Sequence, residues 1–566
     1  MGLGILNDKH LEVRFFRFVL LRAPLSLRLR LSQNVPGTTL FSQDPNAVAE
    51  SQYAGVELSA LKHGKGRNSH IVLVPQPSDD PNDPLNWPRW KKHLTYGVLM
   101  YGTVLCGALG PLVAGAQVEM AQIFGVSLQA MSRALGTALV ATLGIATLVW
   151  APLATKYGKR PVYLLSTVFM LVGTIVASEA KTYGVLLGSR ILQGVGQAVC
   201  EFLCGSTIND IYFVHERGWP IALFTIALLN GINVTPPISG QVFAHLGWRW
   251  CWRIFYIATI LLLVLQIFFL PETTYNRRRV VAPSKATDEK LSDLDKPELD
   301  QLESGSSHMH KQKKSFLQEM SLYSGPFDKD RSFLQLAFEP VAALLSPAVL
   351  YAVCTYGLYI TFLVVIATGS AQVYVGVYSF GAVGVGNTYL APLVADFLAA
   401  ALVGPLTDYL ARRLSAANGG IFEPEFRLPV MLAFFICSGA GFIGFGLSIR
   451  NHLSYWAPII FAGILNFGIT IGCHGVIAYV VECHRHSSDA ALGAVIFGKN
   501  ALSAIFTSFT NIWLAKGVDL AFIEMGILCI GTSLFTVPMW IYGKRVRSLI
   551  ARKLHIERAA ATVVDS

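Results

Sequence analysis

The chain has 566 residues, 53% of them hydrophobic and only 14% charged, with a mean hydropathy of +0.49. Soluble domains carry about a quarter charged residues, so the composition excludes a soluble globular protein and predicts an all-α membrane protein. The formal charge of +10 comes from Lys and Arg scattered among loops, not gathered into one stripe with interleaved aromatics, which argues for no nucleic acid as a partner.

In chain order, residues 1–92 read as a cytosolic N-terminal tail, largely disordered. Its stretch "FFRFVLLRAPLSLRLRLSQ" is basic and apolar, but Arg17 and Arg22 interrupt it well short of a span. Twelve apolar runs follow at about 94–117, 131–152, 162–179, 184–208, 220–242, 252–270, 346–368, 386–407, 429–448, 457–481, 491–513 and 521–542. Each is long enough to cross a hydrocarbon core about 30 Å thick, and each is expected to be helical because lipid cannot satisfy open backbone groups. They form one set of six over 93–271, a polar cytoplasmic linker at 272–345, a second set of six over 346–542 and a cytosolic tail at 543–566. Within the linker, "SFLQEMSLY" (315–323) reads equally well as a short surface helix or as unstructured.

Lys156, Lys159, Arg160, Arg217, Arg412, Arg413 and Lys544 fall on one side of these spans, and few cations, such as Arg249 and Arg450, fall on the other. The positive-inside rule then predicts a multi-pass membrane protein with both termini cytosolic; the membrane is expected to be the plasma membrane. The loop "APLATKYGKR" (151–160) recurs as "GPLTDYLARR" (404–413), with Asp408 where the first copy has Thr155. Duplicated halves are a signature of transporters, and the cations of the first hairpin are ascribed to anionic lipid headgroups.

Several polar residues lie inside the spans. Arg190, Gln193, Gln197 and Glu201 fall at i, i+3, i+7 and i+11, along one face of a helix. An ionised side chain near the bilayer centre costs about 3 kcal/mol or more, so Glu201 is a functional candidate. It lies roughly 16 Å from Arg190 by helical rise and needs another partner, a proton or a cationic substrate. Asp396, midway along its span, invites the same argument, with Lys499 either its partner or snorkelling to the cytosol. Asn466, Thr470 and His474, and Asn500, Ser503, Thr507 and Asn511, form stripes expected to face a central cavity or to bond helices together. Gln193, Gln197, Asn230 and Asn233 join them as cavity candidates. Gly231, Pro236, Pro237 and Gly240 predict a kinked fifth span with a close-packed neighbour.

The nine cysteines lie mostly within apolar runs and imply neither a disulfide framework nor zinc; "ECHRH" (482–486) reads as a solvated loop. No metal or other cofactor is expected. The sequence holds no H-E-x-x-H, G-x-S-x-G or P-loop motif, which argues against an enzyme and against ATP-driven transport.

Over roughly residues 75–550 the chain resembles the major facilitator superfamily, and more narrowly its fungal drug:proton antiporter-like group with twelve spans. "RILQGVGQA" (190–198) is similar to that family's fourth-span motif, and "GINVTPPISG" (231–240) to its fifth-span antiporter motif with Thr235 and Ser239 in place of glycines. The loop at 151–160 keeps Leu153, Gly158, Lys159 and Arg160 of the family's pattern but lacks its first glycine and its acid. "DPNDPLNWP", "GWRWCWRIFYI", "LPETTY" and "EPEFRLP" are similar to further segments of the group.

The resemblance implies a major facilitator fold of two six-helix bundles around one cavity, working as a monomer. Arg190 would serve proton coupling with Glu201 and Asp396, while Gly158, Lys159, Arg160, Asp408, Arg412 and Arg413 would form gating loops. It implies drug-type efflux of a cationic or amphipathic compound by proton antiport, with a polyamine- or histidinol-type importer or a non-transporting nutrient sensor as alternatives. Because the family's loop acid is Thr155 here, the protein is expected to rest more often open to the cytosol than its relatives do.

Overall fold

Within lipid the α-helix satisfies its own backbone groups, and the apolar runs are helical over most of their length, with turns at 110–113, 388–389, 508–509 and 534–535, in the computed structural model, which describes residues 39–40, 61–64, 72–213, 216–275, 313–323, 332–418, 421–484 and 488–553. The first six long helices are α1 (Arg89–Leu109), α2 (Leu128–Tyr157), α3 (Lys159–Ser178), α4 (Tyr183–Ile211), α5 (Gly218–Leu246) and α6 (Trp248–Phe269). The second six are α7 (Pro347–Ala367), α8 (Ala382–Ala417), α9 (Pro424–Arg450), α10 (Trp456–Cys483), α11 (Ser488–Thr507) and α12 (Val518–Ser548). Eleven of these are long and apolar enough to cross a membrane. The twelfth, α4, has 29 residues, about 43 Å by helical rise, but its polar stripe lowers its hydropathy.

The surface confirms the solvent. Ile145, Ile257, Leu398 and Ile527 are each more than half exposed, which suits contact with lipid tails, whereas Arg190, Asp396 and Gln193 are buried. Each set of six helices has its own apolar core, with Trp252, Leu262 and Met170 in the first and Phe362, Phe434 and Phe442 in the second. Sharp reversals join neighbours at Gly158 (φ 99°) and Gly247 (φ 87°), a left-handed region that a side chain disfavours. Because the number of spans in each set is even, the start of α1, the ends of α6 and α12 and the start of α7 lie on one face of the molecule, called here the linker side; the opposite face is the far side.

Three boundaries differ from those the sequence predicts. Residues 72–88, expected as part of a disordered tail, are folded against the first bundle: Asp83 is buried and accepts from the Ser78 amide and hydroxyl, both at 3.0 Å, and Tyr275 donates to Asp80 at 3.0 Å. The linker ends in an apolar helix, Phe333–Ala343, capped by Ser332 and Gln335 and packed against α2 and α11. Helix continues past residue 542 to Lys553, because Arg547 is buried against Glu425 at 2.6 Å. Residues 276–312 of the linker and most of residues 1–71 lie outside the described residues. "SFLQEMSLY" contains a four-residue helix, Phe316–Glu319, held to the first bundle by Lys91 and Glu319 at 2.7 Å. Thr39–Leu40 pairs antiparallel with Ile421–Phe422 in a two-residue ladder.

The kink motif of α5 serves two contacts. A Cβ on Gly231 would lie 2.5 Å from the Val104 carbonyl, so α5 and α1 touch backbone to backbone. A Cβ on Gly240 would lie 2.8 Å from the Ala382 carbonyl of α8, in the other bundle, and Pro236 sits against Gly386 one turn further on. Gly231→Leu is therefore expected to destabilise the protein by about 1–3 kcal/mol through overpacking. Thermal unfolding in detergent checks this, with Gly188→Ala, which meets nothing within 4 Å, as a control that keeps the native midpoint.

Candidate functional site

A cavity of about 220 Å³ lies between the two bundles. Its wall is mostly apolar, from Leu139, Leu228, Ile360 and Val495 among others, and its polar members include Gln117, Arg190, Gln197, Glu201, Tyr356, Lys499, Asn500 and Ser503. It extends to Gly205 of α4 and Leu492 of α11, within two turns of the linker-side ends of those helices.

The stripe on α4 supplies three of the polar groups. Arg190, Gln197 and Glu201 line the cavity, while Gln193 turns aside and donates to the Gly173 carbonyl of α3 at 3.1 Å. At 100° per residue Gln193 stands about 60° from Arg190, enough to move it off the shared face. Arg190 is fully buried; it donates to the Leu109 carbonyl at 3.0 Å and to Gln193 at 2.9 Å, and its guanidinium lies 4.8 Å from the Trp252 ring. These partners all belong to its own bundle. Gln197 donates to the Cys106 carbonyl at 2.8 Å, leaving its own carbonyl oxygen buried without a hydrogen-bond partner.

Glu201 forms an ion pair with Lys499 of α11, across the two bundles. The sequence reading offered Lys499 as a partner for Asp396 or as a snorkelling side chain; it is neither. Its ammonium is buried at the cavity wall, where α11 packs on the π-helical turn Val353–Gly357 of α7. Removing one partner of such a buried pair typically costs 3–5 kcal/mol, because the other charge is stranded.

Asp396 lies elsewhere, between α5, α8 and α10. Asn233 donates to it at 2.6 Å from the first bundle and Thr470 at 2.7 Å from the second. Asn233 and Asn466 border a small neighbouring void rather than the main cavity. Asn230 donates to the Ile226 carbonyl of its own helix at 2.9 Å, and both it and His474 fall outside the cavity wall, where Cys473 stands instead. The Asn466–Thr470–His474 stripe thus lies off the cavity wall: Thr470 addresses Asp396 of α8, and Asn466 donates to the Ala462 carbonyl of its own helix at 3.0 Å.

The polar stripe that begins on α11 continues past the turn at 508–509 into the short helix Thr510–Ala515, and it divides by height. Asn500 and Ser503 line the cavity, whereas Thr507 and Asn511 join a seam with α2 on the far side. There Thr137 donates to Thr507 at 3.0 Å, Gln129 donates to the Ser508 carbonyl at 2.7 Å, and the Asn511 amide donates to Gln129 at 2.9 Å. Arg133 adds a bond to the same Ser508 carbonyl at 3.2 Å. The cavity is closed over on that side.

On the linker side, two cations of the basic hairpin, Lys159 and Arg160, are tied to protein, where the sequence reading ascribes the hairpin's cations to headgroups. Lys159 pairs with Asp210 at 2.6 Å, Arg160 is 1% exposed, and its guanidinium donates to the Ile267 carbonyl at 2.9 Å and to the Leu270 carbonyl. Glu272 of "LPETTY" accepts from the Lys159 and Arg160 amides at 3.0 and 3.1 Å, capping α3 where the helix dipole favours an anion. In the second bundle Arg427 bridges Asp408 at 3.0 Å and Glu482 at 3.1 Å. The two arrangements match element for element: Lys159 corresponds to Arg427, Asp210 to Glu482, and Thr155 to Asp408. Thr155 is exposed and donates back to the Ala151 carbonyl at 3.0 Å. Arg413 donates to Tyr409 on its own helix at 3.3 Å and Arg412 is exposed, so neither joins the triad.

Of "ECHRH", Glu482 belongs to this triad and Cys483 is buried. His484 sits 2.8 Å from the Ser346 hydroxyl, and burial, with Arg547 nearby, pushes its imidazole below the usual range. His486 lies outside the described residues.

What sequence reasoning missed is chiefly pairing. Lys499, Tyr356 and Gln117 join the site, and Lys499 alone carried a signal, as a charge within an apolar run.

Twelve helices in two bundles, with a cavity between them that is largely apolar, carries a few charged and polar groups and is closed at one end, define a membrane transporter. A family model described as Major Facilitator Superfamily matches residues 94–508, and the chain belongs to that family. An uncharacterised MFS-type transporter of Schizosaccharomyces pombe is 26% identical over 92% of this chain and 94% of its own length. Protein HOL1 of Saccharomyces cerevisiae is 26% identical over 85% and 91%, and the probable efflux pump mfs2 of Aspergillus flavus 25% identical over 76% and 96%. The proton:xylose symporter XylE, solved with a bromodeoxyglucose, shares the fold with a TM-score of 0.54 at 13% identity, covering 80% of this chain and 96% of its own. The protein is thus a multi-span transporter of a small substrate and not an enzyme.

The α2–α11 register carries a prediction. Gly144 lies against Asn500 as Thr137 lies against Thr507; continued along the pair, Thr155 is level with the first turn of α11. An acid there would meet Lys159 and the positive end of that helix. Thr155→Asp is expected to lower, several-fold, the labelling of a cysteine placed at Gly205 by a reagent supplied from the linker side; unchanged labelling rejects a gating role for this position.

Proposed function

We propose that the protein exports an amphipathic cation by proton antiport, with the cation held at Glu201 and the proton carried on Asp396. The observation that carries this reading is the separation of the two carboxylates. Glu201 is the one acid lining the cavity among the described residues, and the apolar wall around it suits a cargo with a hydrophobic body. Asp396 sits behind the cavity with two neutral donors, Asn233 and Thr470, drawn from both bundles. Gain or loss of a proton there changes a contact between the halves, which is what coupling to alternating access requires. Arg190, tied to its own bundle, holds α4 to α1 and presents a fixed positive charge to the cavity.

We read the linker side as the cytosol, following the Lys and Arg distribution, and the plasma membrane as the location. The far-side seam then leaves the cavity to be loaded from the cytosol, in keeping with efflux and with the printed description of the A. flavus relative. We take a monomer as the working unit, a reading supported by a cavity wall that both bundles of one chain supply.

The test is transport of dansylcadaverine, a fluorescent dye with a primary amine, by the reconstituted protein across an imposed proton gradient. The wild type is expected to move the dye against its gradient from the linker side when the far side is acidic. Asp396→Asn should abolish gradient-driven movement while keeping dye-for-dye exchange, and Glu201→Gln should weaken dye binding by about tenfold, which is 1.4 kcal/mol. Gradient-driven transport by Asp396→Asn, or drive only by an opposite gradient, overturns the reading.

A further inference from the structure

The proposed function gives Lys499 no task, yet it is the cavity's most exchangeable charge. Glu201 and Lys499 come from opposite bundles and meet in the cavity wall, with side chains 9% and 7% exposed. Among largely apolar neighbours the carboxylate cannot stand alone, so a cation that leaves must be replaced by another. Arg190, the other cation of the wall, is no replacement: its guanidinium is held by Leu109, Gln193 and Trp252, and it lies about 16 Å away along α4.

Lysine has the chemistry of a displaceable partner. Its ammonium is a point charge on a flexible stem, whereas a guanidinium would grip the carboxylate with two parallel bonds. A second observation points to the incoming group. The Gln197 carbonyl oxygen, one turn before Glu201 in the cavity wall, is buried with no hydrogen-bond partner. A carboxylate and a free carbonyl oxygen on adjacent turns suit a protonated amine, which has N–H groups for both; a quaternary ammonium would leave the carbonyl unsatisfied.

We propose that Lys499 is a tethered counter-ion which a protonated amine of the cargo displaces from Glu201. This rests on the reading of Glu201 as the cargo site and narrows the cargo to a primary or secondary amine on an apolar body. In the unloaded protein the pair links the bundles and keeps Glu201 neutralised. Loading transfers the carboxylate to the amine, frees Lys499 and removes that link.

Equilibrium binding of 4-phenylbutylamine and of the uncharged 4-phenylbutan-1-ol to the full chain in detergent tests the idea. Lys499→Met removes the competitor and should bind the amine about tenfold tighter than the wild type, with the alcohol unchanged. Lys499→Arg should bind the amine several-fold more weakly, since a bidentate partner is harder to displace; this variant keeps the charge and decides the question even if Lys499→Met does not fold. Glu201→Gln should lose the preference for amine over alcohol. Amine affinity unchanged in the Lys499 variants but lost in Glu201→Gln overturns the counter-ion and leaves the cargo site standing. Amine affinity unchanged in Glu201→Gln, or no amine binding by wild type or Lys499→Met, overturns both.

Discussion

A charge inside a membrane must find a partner there, and the arrangement of this protein follows from how each one does so. An unmatched ion near the bilayer centre costs about 3 kcal/mol or more, comparable to the disruption caused by a poorly packed core residue. Arg190 answers with backbone carbonyls, a glutamine and an indole, all from its own bundle. Glu201 and Lys499 answer with each other across the two bundles. Asp396 answers with an amide and a hydroxyl, one from each bundle. The first solution is rigid, and the other two last only while the bundles keep their present relation.

That distinction separates structure from function in one cavity. A partner within a bundle survives the rocking of the halves, so Arg190 acts as a fixed element. Partners on opposite bundles are broken or reformed by rocking, and their energies bias which side is open. The far-side seam of Thr137, Gln129, Thr507, Ser508 and Asn511 belongs to this second kind, though its members are neutral apart from Arg133. The close contact of Gly240 and Pro236 with the start of α8 completes the same closure by backbone packing.

The duplicated architecture makes the one asymmetry readable. Each bundle ties the hairpin between its second and third helices to the end of its fourth through a cation, Lys159 in the first and Arg427 in the second. Only the second adds an acid from the helix before the hairpin, Asp408. The conformation of the first hairpin is secured otherwise, by Glu272 on the α3 amides and by Arg160 on the end of α6. Thr155, bonded only to the Ala151 carbonyl of its own helix, is therefore spared any part in folding the hairpin.

The sequence by itself determined the number and order of the spans, the doubling of the halves, the polar face of α4 and the close-packed glycines of α5. Each of these is a local property: length against bilayer thickness, a repeat, or the 3.6-residue period of a helix. It also singled out Arg190, Glu201 and Asp396, because an ionisable residue in an apolar run is conspicuous wherever it points. Only the tertiary structure decided who meets whom. A stripe of polar residues names a face but not the neighbour it faces, so Thr470 addresses Asp396 of α8, Asn466 a carbonyl of its own helix, Thr507 and Asn511 a seam, and Gln193 a carbonyl of α3. The same limit hid the pairing of Glu201 with Lys499, which are 298 residues apart: periodicity acts within one helix, whereas that contact depends on how two bundles are docked.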